Sequence, residues 1–288
     1  MADAQRRELP GHIAAALAGA GGPADSAGQP WAGRDLTSAA APTHQFDDDD
    51  GSADPGYAAA VAALRSGSGT EAGVVAALAT ARVFVPVVAA LAEESEGAGG
   101  LQADKQADMA LVTLKAPDGR RALPAFSSAA ALEAWHPQAR PVAVFAPRAA
   151  LSAVAEDAQL MVLDPGADFT FVVRRPALWA LARQQPWVPS YEDPAVAEAA
   201  AGVRLDASEI ESVTVHRATG TGSVDACGRR VDGGGPGPEL RIVLQVRDGL
   251  DAAALQRLVD RAQQHWARNE VFAERVDSLD LSVQRAQG

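Results

Sequence analysis

The sequence predicts an α+β protein: two mixed, layered domains behind an irregular leader rich in Ala, Gly and Asp. Three observations predict it. Apolar runs of strand length are mixed with runs of helix length, but no regular strand–helix–strand period repeats, which argues against a doubly wound sheet. A proline-rich passage, "PWVPSYEDP" at 186–194, separates two such mixtures. Hydrophobic residues make up 48% of the 288, much of it alanine, with aromatics at only 5%, which suits close-packed helices over small sheets. The boundaries fall at a leader over 1–52, a first domain over 53–183, a linker over 184–200 and a second domain over 201–288.

The elements follow in order. The leader offers a short helix in "LPGHIAAALAG" and "PWAGRDL", which would dock Trp31 and Leu36, and it ends in the acidic run "FDDDDGSADP". "DPGYAAAVAALRSG" is a helix: Tyr57, Val61 and Leu64 recur at helical spacing and Gly67 stops it. In "GTEAGVVAALATA" Thr70 caps a second helix whose face is Val74, Val75 and Leu78. "RVFVPVVA" is a strand, placed by Pro86 at an edge or a strand end. A polar loop, "AEESEGAGGLQADKQAD", precedes a β-hairpin with arms 109–115 and 121–126 around "PDG". "SSAAALEAWH" is a helix with serine caps, carrying Leu132 and Trp135 on one face. "RPVAVFA" is a strand, "PRAALSAVAEDA" a helix, "QLMVLDPGADFTFVV" a strand, turn and strand, and "RPALWALARQQ" a helix. Beyond the linker, "EIESVTVHRA" and "ELRIVLQVRDG" are strands joined by the glycine-rich "TGTGSVDACGRRVDGGGPGP", which reads as a flexible hairpin connection. Asp251 caps the clearest helix, whose apolar stripe is Leu255, Leu258, Val259, Ala262 and Trp266. "VDSLDLSV" is the last strand.

Charge narrows the function. The chain has 37 acidic against 25 basic residues, a net charge of −12. Such a chain repels phosphate backbones and anionic lipid, so no nucleic acid and no membrane is expected as a partner. Arg6 and Arg7 precede the weakly apolar "HIAAALAGA", but Glu8 and Pro10 intervene and the run is too short for a secretory core. The expected location is cytoplasmic. Cys227 is the single cysteine, which excludes an internal disulfide and a thiolate zinc cage.

Chemistry-bearing residues are few. Ser127 and Ser128 lie in "AFSSAAA", without the glycines of a nucleophile elbow, so they read as helix caps. His136 lies eight or nine residues along the same helix, about 12 Å away at 1.5 Å per residue, beyond direct reach. His12, His44, His136, His216 and His265 show no His-x-x-x-His spacing. Counting an EF-hand around Gly51 puts Phe46 at position one and Tyr57 at twelve, so Asp47 to Asp50 fail that pattern. "GGGPG" at 233–237 lacks the Gly-Lys-Ser/Thr ending of a phosphate loop. Cys227 lies beside Arg229 and Arg230, whose charge would favour its thiolate, but the reading favoured for it is an exposed thiol without a role. Asp164, in the "LDPG" turn, is expected to bond locally.

As a whole, "VFVPVVA", then a hairpin leading into "LPAFSSAAALEAWH", then "LMVLDPGADFTFVV" resembles the SseB N-terminal domain over about residues 72–183. The part holding "LRIVLQVRDG", the Leu255–Trp266 helix and "VDSLDLSV" resembles the family's C-terminal domain more weakly. The chain departs from the family with Ala-Phe-Ser-Ser where a valine and a threonine are common, and in its long leader. The resemblance implies no reaction, no catalytic residue and no cofactor; it makes the Ser127–Ser128 junction a piece of scaffold over Phe126, Leu132 and Trp135. The expectation is therefore a non-enzymatic binding or regulatory module acting through a protein partner. No catalytic, cofactor-binding or metal residue is assigned, and no cofactor or specific small molecule is expected. The alternatives are a hydrolase using Ser127 or Cys227 with a base such as His216 brought from elsewhere, and a secretion- or envelope-associated adaptor.

Overall fold

A computed structural model describes residues 46, 48–90, 108–116 and 118–285. The chain divides into two compact units, Met1–Asp49 and Asp50–Gly288. The expected leader helix, Trp31, Leu36, His12, His44, Asp47 and most of the polar loop after the first strand lie outside the described residues. In the first unit a backbone hydrogen bond joins Asp49 N to Phe46 O at 3.1 Å. The second unit is an α+β fold.

Two capped helices open it. In α1 (Pro55–Ser66) the Asp54 carboxylate accepts from Tyr57 N and Gly67 ends the helix at φ +78°. In α2 (Glu71–Leu78) Thr70 accepts from Gly73 N at 3.1 Å, and Val74, Val75 and Leu78 are buried as their spacing predicts.

Strand β1 (Arg82–Ala90) corrects one expectation. Pro86 lies mid-strand, and β1 is central in an antiparallel sheet between β2 (Asp108–Leu111) and β5 (Arg140–Phe145). Backbone direction explains why proline is tolerated. Phe84 N and Phe126 O bond on the side of β1 away from β5, and Pro86 faces that same side. There it falls between the Phe84–Phe126 bridge and the first β2 pair, Val87–Leu111, a gap that calls for no N–H. The expected hairpin splits for a related reason. Its first arm gives 108–111 to β1, and only β3 (Leu114–Lys115) turns back onto β4 (Arg121–Ala125).

The second sheet runs β3–β4–β6–β7, with β6 (Leu160–Leu163) parallel to β4 and β7 (Phe171–Val173) antiparallel to β6. Between them come α3 (Ala129–Trp135) and α4 (Ala146–Ala155), and α5 (Arg175–Ala182) follows β7. The first core collects Val74, Leu78, Val83, Leu123, Ala150, Met161, Phe171 and Leu178, with alanines letting α4 approach the sheet closely.

The stretch 184–200, expected as a linker, carries a helix. Asp193 caps α6 (Pro194–Ala201), which buries Val196 and Ala200 in a second core. That core lies on a sheet ordered β12–β11–β8, from β8 (Ile210–Arg217), β11 (Leu240–Val246) and β12 (Leu279–Arg285). Strands β11 and β12 are parallel, and α7 (Ala252–Ala267) and α8 (Glu270–Arg275) cross between them. The Asp251 cap accepts from Ala254 N at 2.7 Å, and Leu258, Ala262 and Trp266 are buried. The glycine-rich connection contains a small ladder of β9 (Ser223–Val224) and β10 (Arg230–Val231).

Candidate functional site

The serine junction is built as a scaffold. Ser128 caps α3, its hydroxyl accepting from Ala131 N at 3.1 Å. Ser127 does not cap: its N–H donates to the Asp164 carboxylate at 2.7 Å. Asp164 therefore bonds across to β4's exit rather than only within its own turn, where its carbonyl accepts from Thr170. Burial raises the Asp164 carboxyl above the usual range, against the hydrogen bonds from Ser127. Phe126 and Leu132 are fully buried, and Phe126 meets Trp135 at 5.2 Å between ring centroids.

The other sequence candidates lie apart. His216 shares a hydrogen bond with Thr214 on its own strand, at 2.9 Å. No hydrogen bond among the described residues joins it to Ser127 or Cys227. Cys227 is exposed on a turn whose organiser is the buried Asp225. That carboxylate accepts from Cys227 N and Arg229 N and pairs with Arg229 and Arg65. Asp225 is held below the usual range, first by the Arg229 N–H. The Arg229 guanidinium thus serves Asp225. Asp50 takes both the N–H and the hydroxyl of Ser52. No acidic, His or Cys group suited to a metal exists among the described residues.

Sequence reasoning missed two arrangements. The first is a buried polar junction. Glu71, in the first turn of α2, pairs with Arg174 at 2.9 Å, both side chains 2% exposed. The same carboxylate accepts from Gly234 N at 2.8 Å and from the Tyr191 hydroxyl at 3.4 Å. Arg174 also donates to the carbonyls of Gly235 and Gly237. The glycine loop expected to be flexible is thus clamped, with Gly233, Gly234 and Gly235 buried. It needs glycine for space. A Cβ at Gly235 would lie 1.9 Å from Gly222 O, and Gly234 combines φ +72° with Phe171 at 2.7 Å. Just beyond the loop, Glu239 is 1% exposed and accepts from Asp277 N at 2.7 Å. Burial pushes its carboxyl up to about 7. No short-range signal announces this junction: its first ion pair spans 103 residues, and Glu71 reads locally as an ordinary first-turn acid.

The second is an open cleft of about 380 Å³ lined by Asp206, Arg261, Gln264, His265, Arg268 and Asn269. The C-terminal half of α7 presents Arg261, Gln264 and His265, Arg268 and Asn269 follow it, and the 3₁₀ turn Gly202–Leu205 after α6 delivers Asp206. His265 meets Asp206 at 2.7 Å, and Arg261 pairs with Glu209 at 2.8 Å. The bond from Arg261 is the main reason the Glu209 carboxyl is held low. Gly202 leaves room for the ring: a Cβ there would lie 3.2 Å from His265 Nε2. Leu205, directly before Asp206, is 92% exposed. Its only sequence signal was an apolar residue between Arg204 and Asp206.

Residues 58–180, from α1 to within α5, match the family model described as the SseB protein N-terminal domain. That segment is similar to the SseB N-terminal domain and spans less than half of the chain. The SseB match takes in β1, the serine junction, the Asp164 turn, Glu71 and Arg174. It leaves Glu239, the glycine loop and the cleft outside. No curated protein and no solved structure matches the chain.

Proposed function

We propose that this chain is a cytoplasmic, non-enzymatic binding or regulatory module acting through a protein partner, with the Leu205 cleft as its docking point. The observation that carries the reading is Leu205. Leu205 precedes the cleft residue Asp206 in the chain and is 92% in water, so it offers an apolar side chain next to a cleft lined by groups of both charges. A partner's apolar side chain would cover it, while Gln264 and Arg268 offer donors in the cleft lining. At longer range the net charge of −12 favours encounter with a basic protein face over nucleic acid. No helix among the described residues is long and apolar enough to cross a membrane.

The test uses the full chain as bait in extract of its native host, beside Leu205→Asp and Arg268→Glu. A partner identified by mass spectrometry and then purified should bind the wild type at least about tenfold more tightly than Leu205→Asp, as for the loss of a central apolar anchor. Its association rate should also fall with salt and on replacing Asp47 to Asp50 by asparagine. Equal affinity for wild type and both variants would overturn the docking point. Stoichiometric labelling of Ser127 by a fluorophosphonate, with turnover lost in Ser127→Ala, would overturn the non-enzymatic reading in favour of the hydrolase.

A further inference from the structure

The buried junction contains an odd carboxyl. Three acids meet there with side chains or residues at most 2% exposed: Glu71, Asp277 and Glu239. Two arginines answer them. Arg174 pairs with Glu71, and Arg120 pairs with Asp277 at 2.8 Å. Glu239 has no ion pair among the described residues, and a buried carboxylate without one is costly.

Its surroundings come from several elements. Arg174, before α5, faces it but is committed to Glu71 and two glycine carbonyls. The Asp277 carboxylate, before β12, opposes its ionisation. The buried Ser190 hydroxyl faces it with no other partner. Farther round, Tyr191 bonds Glu71, and Arg217 of β8 lies over the Tyr191 ring while donating to Thr221.

The position of Glu239 makes its charge consequential. It joins the glycine loop to β11. Its backbone carbonyl accepts from Ala218 N, its N–H donates to Ser278 O, and its carboxyl holds Asp277 N. The loop it anchors inserts Val231 into the first core, and the strand it starts lies in the second.

We propose that Glu239 is a proton-operated latch between the two cores: neutral, it locks the glycine loop and the start of β12 together, and ionised, it loosens them. Near-neutral titration of the buried carboxyl, raised chiefly by burial, agrees with the geometry. The latch is independent of the cleft and of any partner.

Two measurements on the full chain test it. Glutamate ¹³C-carboxyl NMR of the wild type should show one side chain titrating near neutrality, and Glu239→Gln should remove that resonance. In urea unfolding, the folding constant of the wild type relative to Glu239→Gln should fall more than about tenfold between pH 5 and pH 8. The amides of Gly234, Gly235 and Asp277 should lose exchange protection over the same range in the wild type alone. If every glutamate of the native chain titrates in the ordinary range near 4.5, the latch is overturned, and that result needs no variant to fold. A ratio independent of pH would overturn it equally.

Discussion

At Gly235 one methyl group is enough to test how tightly the glycine loop is held. The atom it would strike, Gly222 O, is backbone in a neighbouring turn and cannot swing aside. Gly235→Ala should cost at least about 3 kcal/mol, the upper end for overpacking, read from chemical denaturation. The two serines separate just as cleanly. Ser128→Ala loses a helix cap and should cost about 1 kcal/mol. Ser127→Ala keeps the N–H that Asp164 accepts and should cost less. Both variants melting like the wild type would remove the cap. Leu205→Asp should leave stability within about 0.5 kcal/mol, since its side chain already faces water. At this scale the sequence was readable where a residue acts on its own neighbours, as with Asp54, Thr70, Ser128 and Asp251 at helix starts. It was silent where the partner lies far along the chain, as for Glu71 with Arg174 or Ser127 with Asp164.

Among the elements, α7 announced itself because its stripe from Leu255 to Trp266 repeats over about three turns, and the structure buries Leu258, Ala262 and Trp266 from it. Leu258, with no exposed surface, should cost about 2–5 kcal/mol when cut to alanine, checked by urea titration at constant m-value. A loss well below that range would mean that α7 contributes little to the second core. Pro86 and the split hairpin were misread for one reason. A strand's residues do not say which neighbour each backbone side will meet, and only the register shows that Pro86 falls in a gap of the ladder. The segment 184–200 was misread because its prolines suggest an open tether. Yet Pro194 opens a helix, where a missing N–H costs nothing, and Val196 reaches the core.

For the whole molecule, pH should act from two sides. The Glu239 carboxyl lies near 7 in the fold against 4.5 when unfolded, so the native state binds that proton more tightly. Its stabilising contribution is complete below about 4.5 and is lost as pH rises through about 7. Asp225 and Glu209 are shifted the other way, so what they contribute is present above their unfolded values and lost as pH falls. Stability should therefore peak on the acid side of neutrality, and Glu239→Gln should move the peak toward higher pH; a peak that does not move would contradict this assignment. The α+β class was legible because it depends only on which segments are strand or helix. The joining of the two cores was not, because the loop that joins them looks like spacer until Gly234 O is seen accepting from Val172 N of β7. That seam also bears on how the protein is made. A ribosome delivers α1 through α5 first, but the carboxylate of Glu71 receives Gly234 N only after the glycine loop is translated. Strand β11 then waits for β12 to cover its far side. The nascent chain thus carries a half-solvated buried acid and an open strand edge through much of its synthesis, the interval in which a chaperone would find most to hold.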